Sequence, residues 1–279
     1  MQITDQEIKD NHEIYLHFLR FFNEYSNKEF KWDEDGFIYD YRDTRLTKLR
    51  EDYRLECVAG KHNNEILRLL NIMRWANEML RHKRTGDFPE SSINALNILK
   101  FSREKRVTVN CAMHSIVLTE ALLSLGYPAR SISCLPMDIE VSDSHAICVA
   151  YSKSLSKWIA LDPSFSIYVT DLNNNILDLN EIRNKIIQGE DITINQYKRI
   201  NTSDFDTNWY KSYLTKNLFR FACNQKTNFN HLSSNEHIVY FLHPYNYLPN
   251  NNTEAVKKMN DITFKYRYIS NPSFFWSIP

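Results

Sequence analysis

The sequence predicts an α+β fold, on three observations. Its first hundred residues carry helical periodicities. A helix that is apolar almost all round follows, from Asn110 to Leu125. Three short β runs come directly after it. A helix apolar on every side has to be buried inside its domain.

The elements are read in chain order. From Asp5 to about Tyr25, Ile8, Tyr15, Phe18, Leu19 and Phe22 fall near one helical face, and Thr4 or Asp5 can cap it. An aromatic-rich irregular segment covers 31–43, and Leu49 to Ala59 reads as a strand or an extended entry segment. Asn63 to His82 predicts a helix, since Ile66, Leu69, Leu70, Met73, Ala76, Met79 and Leu80 recur at helical spacing. The basic run Arg81-His82-Lys83-Arg84 closes it, at the end where cations favour the helix dipole. A further helix is expected from Ser91 to Phe101, capped at Ser91 or Ser92. Gly126 and Pro128 stop the apolar helix in the expected order. The β runs are Arg130 to Leu135, His145 to Tyr151 and Trp158 to Leu161. Helices at Leu179 to Gln188 and Trp209 to Arg220 and strands at Glu236 to Tyr247 and Ile262 to Ile269 complete the reading. The organisation expected is an N-terminal helical extension (1–45), a core (46–172) and a C-terminal α+β extension (173–279) packed as one unit with the core.

Composition narrows the function. Lysine plus arginine equals aspartate plus glutamate at 34 each, so neither nucleic acid nor an anionic membrane is an expected partner. No apolar run is long enough to span a bilayer. The polar, acidic N-terminus is not a secretory signal, and a cytoplasmic location is expected. Five cysteines make an odd count without close pairing, which fits free thiols rather than a disulfide framework.

Three positions carry chemistry. Cys111 opens the apolar helix, where unpaired N–H groups and the dipole stabilise a thiolate; its own N–H can donate to an oxyanion. His145 opens one β run and Asp162 ends the next. If those runs form a hairpin centred on the polar loop 152–157, His145 faces Ser164 and Asp162 faces Ile147. His145 and Asp162 are then diagonal neighbours on one face, about 7–8 Å apart at the backbone, within reach of a His-to-carboxylate hydrogen bond. Each residue alone reads as ordinary structure; together they make the nucleophile, base and orienter that acyl transfer needs. Asn110 is a candidate oxyanion helper, although capping the helix accounts for it as well. His114 follows Cys111 by one turn, but no second ligand pair accompanies it, so packing is the reading and no metal or cofactor is expected. Cys134 and Cys148 read as buried thiols, and Asp143 either tunes His145 or belongs to a turn.

Four segments resemble the transglutaminase-like superfamily: Asn110-Cys111-Ala112-Met113-His114; Leu122-Leu123-Ser124-Leu125-Gly126-Tyr127-Pro128-Ala129-Arg130; Asp143-Ser144-His145-Ala146; and Lys157-Trp158-Ile159-Ala160-Leu161-Asp162-Pro163-Ser164. The resemblance covers about residues 107–170. It implies a papain-like core, with the nucleophile helix packed on an antiparallel sheet that carries His and Asp. It also makes Trp75 a candidate for lining a substrate channel, as a Trp does in some relatives, with core packing the alternative, and it implies that Asn would serve partly in place of Asp162, as it does in related enzymes. The chain departs from the family in lacking a glycine shortly before Cys111 and in having Ile147 where Trp is common. The expected activity is cysteine-dependent acyl transfer on a peptide or protein amide, with hydrolysis favoured over transfer to an amine because no glycine-rich lid is visible. The alternative is a non-catalytic peptide-binding module that keeps the fold. The apolar run Phe274-Phe275-Trp276-Ser277-Ile278-Pro279 is expected to pack on the domain, either near the cleft, where it would narrow it, or in the core away from the cleft.

Overall fold

In the computed structural model, residues 4–26, 36–61, 63–90, 92–141, 143–197, 205–230, 237–247 and 264–279 are described. Helix α1 (Asp5–Phe21) is capped by Thr4 and Glu7 in a reciprocal capping box. A short strand β1 (Ile38–Tyr39) follows. The segment expected to be extended is instead two helices, α2 (Thr44–Asp52) and α3 (Leu55–Ala59). The reason lies in the spacing: Leu46 and Leu49, then Leu55 and Ala59, are three and four apart and all are buried. The Asp43 carboxylate accepts from the Arg45 N–H at 2.9 Å to start α2. Arg54, with φ 49°, breaks the chain between the two.

Helix α4 (Glu65–Met79) ends before the basic run, and α5 (Ala95–Lys105) starts later than expected. Asn94 rather than Ser91 or Ser92 caps α5, accepting from Asn97 N–H at 3.0 Å. Helix α6 (Cys111–Ser124) is the centre of the molecule: every residue from Met113 to Ser124 is buried. Helices α2, α4 and α5 pack on one side of it and the sheet on the other. Burial of a leucine such as Leu118 or Leu122 contributes about 1.5–3 kcal/mol each, which fixes α6, and hence Cys111, against the sheet.

That sheet contains β2 (Ala129–Leu135), β3 (His145–Ser152), β4 (Lys157–Leu161), β7 (Arg220–Asn224), β9 (His237–Leu242) and β10 (Phe264–Ile269), in the order β10-β9-β7-β2-β3-β4. Its pairs are antiparallel except β9–β10, which run parallel, so the part that carries His145 and Asp162 is antiparallel as expected. The starts expected for the last two strands, Glu236 and Ile262, lie outside the described residues, as do 31–35 of the aromatic-rich segment. Strand β5 (Ile167–Thr170) pairs with β6 (Thr193–Gln196), and β8 (Lys226–Thr227) pairs with β1. Helix α7 (Leu179–Gln188) is as read from sequence. Helix α8 (Thr207–Asn217) stops short of Arg220, which begins β7. A final short helix, α9 (Pro272–Phe275), carries the aromatic C-terminal run.

Two buried arginines hold the outer segments in place. Arg183 of α7 donates to the carbonyls of Leu218 (3.1 Å) and Phe22 (3.2 Å) and to Asn23 Oδ1 (2.7 Å). This fastens the end of α1 beside α8, against which α1 packs. Arg130 of β2 donates to Tyr39 Oη (2.6 Å) and to the carbonyls of Phe275 (2.6 Å) and Ser277 (2.8 Å), with its guanidinium over the rings of Phe37 and Trp158. The C-terminal run therefore does not narrow the cleft. It packs around Arg130, four residues along β2 from the end where His145 sits, or about 13 Å at strand rise. An arginine in the core needs its N–H groups satisfied, and the carbonyls of this run are what satisfy them. Among the described residues, no helix is long and apolar enough to cross a membrane.

Candidate active site

The β3–β4 hairpin has the register expected from its loop: Cys148 faces Leu161 and Ser152 faces Lys157. At its open end Asp162 leaves the ladder and pairs with Ile167, its N–H donating to the Ile167 carbonyl at 2.8 Å. Ile147, Val149 and Ala160 pack on the face of the sheet away from α6, while Cys148, Ala150 and Leu161 pack towards α6. By the two-residue period, His145 and Asp162 belong to the far face. Their side chains meet, with His145 Nε2 and Asp162 Oδ2 at 2.7 Å, both nearly inaccessible.

Asp162 is hydrogen-bonded on both oxygens. Oδ1 accepts from Ser164 N–H at 2.9 Å, and Oδ2 accepts from the Tyr210 hydroxyl at 2.8 Å besides His145. Burial alone would raise this carboxyl; the charge and hydrogen bond of His145, then Tyr210 and the Ser164 N–H, hold it below its ordinary value. Burial likewise would lower His145, but the Asp162 charge and hydrogen bond, followed by Cys111, push it up to about 10.

Cys111 is the first residue of α6, preceded by Asn110, whose Oδ1 accepts from Met113 N–H at 3.2 Å. His145 Nε2 is engaged with Asp162, which leaves Nδ1 for the Cys111 sulfur. Burial would raise the thiol; hydrogen bonds from His145 and from His82, with the His145 charge and the Ala146 N–H, bring it down to about 6. At neutral pH the resting pair is therefore thiolate and imidazolium. The other thiols differ. Cys134, Cys148 and Cys223 are buried and raised by that burial, and Cys57 is exposed at the surface.

A cleft of about 450 Å³ opens over the sulfur. Ile8, Asn11 and Tyr15 of α1 form one wall, and Trp209, Tyr213 and Lys216 of α8 contribute to another. Asp143 lies at its rim, paired with Lys216 and 3.4 Å from the Arg84 guanidinium. Tyr213 packs on the His145 ring at 5.3 Å and donates to the Ser144 carbonyl at 3.0 Å. Phe165 covers the same imidazole at 6.0 Å.

The structure thus brings Cys111, His145, Asp162 and Asn110 together. Trp75 is elsewhere, buried in the core edge-on to Tyr53 at 5.5 Å and outside the cleft lining. His114 is fully buried, pushed down to about 3 by that burial, and packs edge-on to His82. Among the described residues, no three His, Cys, Asp or Glu side chains are arranged to share a metal ion.

Several site residues escape a reading of the sequence. His82 and Arg84 look like a helix-end charge run, yet α4 ends at Met79 and His82 forms a β-bridge with Val109. Tyr210 and Tyr213 are spaced i, i+3, a pattern that shows a shared helical face but not that the face meets His145 and Asp162.

Residues 52–163 match the model of the transglutaminase-like superfamily. Over this stretch the chain is similar to that superfamily. No curated protein matches the chain. Among solved structures, a protein from Cytophaga hutchinsonii described as a candidate cysteine protease is similar at 18% identity, over 55% of this chain and 47% of that one, with a TM-score of 0.34. The chain thus spans about half the length of that relative. The matched stretch contains Cys111, His145 and Asp162, whereas α1 and α8, which wall the cleft, lie outside it.

Proposed function

We propose that the protein is a cysteine hydrolase that cleaves an amide of a peptide or protein through a thioester at Cys111. The observation that carries this reading is the unbroken chain Cys111–His145–Asp162, in which one imidazole nitrogen serves the sulfur and the other is held by a buried carboxylate. The thiolate adds to the substrate carbonyl. His145 then gives its proton to the departing amine nitrogen as the C–N bond breaks. In the second half His145 takes a proton from water, the hydroxide oxygen adds to the thioester, and the C–S bond breaks to restore the thiolate. Asp162 stays ionised throughout and keeps the imidazole oriented. Asn110 lines the cleft with its Oδ1 committed to the helix cap, which leaves its amide N–H groups free of that role and available to help hold the substrate carbonyl.

Water, rather than an amine, is the favoured acceptor. Cys111 is half-buried, so a thioester there remains within reach of solvent. Two measurements test the reading. Timed iodoacetamide labelling at pH 7 with intact mass detection should modify Cys111 ahead of the exposed Cys57; preferential labelling of Cys57 would overturn it. A glutaminyl peptide library with and without excess primary amine should release ammonia or cleaved peptide in both conditions. Amine incorporation outrunning hydrolysis would replace the hydrolase by a transferase and leave the triad intact.

A further inference from the structure

His82 comes to the site from a different element than His145 and is held there by backbone. After α4 the chain runs alongside Val109, with Val109 N–H donating to the Arg81 carbonyl (2.8 Å) and Lys83 N–H donating to the Val109 carbonyl (2.9 Å). Gly86 closes this contact, for a Cβ there would lie 2.4 Å from the Val109 carbonyl carbon and 2.6 Å from Asn110 N. The segment bearing His82 is thereby clamped to the two residues before the nucleophile. The imidazole is packed as well, against Phe165 at 5.1 Å and His114 at 5.5 Å. It lines the cleft with Cys111 and is among the groups that hold the thiol low.

Two imidazoles lining one cleft with a single sulfur invite a division of labour. His145 is paired with a buried carboxylate, which makes it the proton carrier. His82 has no such carboxylate pair among the described residues, so it lacks the orienter of a general base and suits a donor that keeps its proton. When the sulfur–carbon bond forms, the carbonyl π pair moves to oxygen, and negative charge shifts from sulfur to an atom about 3 Å away. Donors already aimed at the thiolate are then beside the new charge. Three groups are so placed: the Ala146 N–H, which serves the sulfur, the Cys111 N–H, which has no partner inside the helix, and His82. We propose that His82 is a catalytic residue that donates a ring N–H to the oxyanion formed at Cys111. The proposal rests on the acyl-transfer reading and adds a group to it; the proton for the leaving group still comes from His145, and His82 ends each half-reaction as it began.

The test compares two reactions of the same sulfur. Acylation by p-nitrophenyl acetate passes through an oxyanion; alkylation by iodoacetamide does not. Both are followed at pH 7 by intact mass, with peptide mapping to Cys111. In His82→Ala, acylation should fall by about 10²–10³ while alkylation changes less than about tenfold, the loss expected for one oxyanion donor. His82→Gln, whose amide N–H can donate, should recover part of the acylation. Equal losses in both reactions, unchanged acylation, or a Gln variant no better than Ala would each overturn the assignment. A wild-type Cys111 that alkylates no faster than Cys57 and does not acylate would instead defeat the acyl-transfer reading, before any variant is made.

Discussion

Replacing Asp162 with Asn tests the electrostatics of the site more sharply than removing the side chain. The two carboxylate oxygens have different partners. Ser164 N–H, which reaches Oδ1 at 2.9 Å, can only donate. In Asp162→Asn the new side chain must keep its oxygen there, or leave a buried N–H facing an NH₂ group at a cost of about 1–3 kcal/mol. The amide nitrogen then occupies the place of Oδ2, 2.7 Å from His145 Nε2 and 2.8 Å from the Tyr210 hydroxyl. Tyr210 can turn its hydroxyl and accept. His145 can accept only through a bare Nε2, so its one proton moves to Nδ1, the nitrogen that serves Cys111. That imidazole can neither take the thiol proton nor hold an imidazolium against the NH₂ group.

The consequence can be followed on the sulfur. In the wild type the thiolate–imidazolium pair exists from about pH 6, where the thiol ionises, up to about pH 10, where His145 loses its proton. Below that window the sulfur is protonated; above it the leaving group has no acid. Without the imidazolium the thiol returns towards its ordinary value of about 8.5, and the thiolate fraction at pH 7 drops about 30-fold. Loss of the base and acid adds to this, for a fall in kcat/KM of about 10³–10⁴. With these partners, an Asn at position 162 is expected to fall short of the partial service that the resemblance to related enzymes implies. The assay is the pH profile of iodoacetamide alkylation at Cys111, paired with acylation by p-nitrophenyl acetate at pH 7. The inflection should move from about pH 6 to above pH 8. An Asn variant that keeps the inflection near pH 6 and more than a tenth of the acylation rate would refute the argument.

Two further substitutions probe the frame around the site. Gly86→Ala places a methyl group against backbone atoms of Val109 and Asn110, which cannot swing aside as a side chain can; it should cost about 1–3 kcal/mol in denaturant unfolding and slow acylation of Cys111, and a variant with wild-type midpoint and rate would disprove the close contact. Glu120 of α6 is fully buried, and burial raises its carboxyl from 4.5 to about 8 despite the Ala95 N–H it accepts at 2.7 Å. A raised carboxyl contributes stability that is complete below pH 4.5 and is lost as pH climbs through about 8. That loss reaches about 3 kcal/mol by pH 7, so Glu120→Gln should raise Tm at pH 8 and flatten its dependence between pH 5 and 8; an unchanged slope would contradict the burial argument.

The parts of the molecule legible in the sequence are those in which one physical signal dominates. Helix α6 is legible because it is apolar on every side, and Asn110 before it is a cap by chemistry alone. The hairpin register follows from the position of a polar loop between two β runs, and it places His145 and Asp162 on one face before any coordinates are needed. The elements that differ share a cause as well. Residues 49–59 pack two short helices into a stretch too brief to show a full period. The basic run at 81–84 satisfies a helix-end rule, yet Leu80 at the end of α4 turns into an extended conformation that carries His82 to Val109. Analogy puts Trp75 at the cleft, whereas its own neighbours Met73 and Ala76 place it in the core. Contacts that join distant segments, such as Tyr210 to Asp162 across 48 residues, leave no local trace.

Those distant contacts decide how the site is built. The matched core supplies the sulfur, the imidazole and the carboxylate, but it does not set their charges unaided. Tyr210 shares Oδ2 with His145, and burial together with the Asp162 charge drives its own hydroxyl far above the ordinary phenol range, so it stays protonated and donates to the carboxylate. A permanent donor there favours an ionised Asp162, and an ionised Asp162 favours the imidazolium. Helix α8 also covers the histidine with Tyr213, which ties His145 to the loop before it through the Ser144 carbonyl. Stripped of α8, the same carboxylate would trade a fixed hydroxyl for mobile water and the imidazole would lose one of the rings that enclose it. The segment following the core is thus part of the electrostatic apparatus of the site, and the poise of Cys111 is a property of the chain from α1 to α8 rather than of three residues.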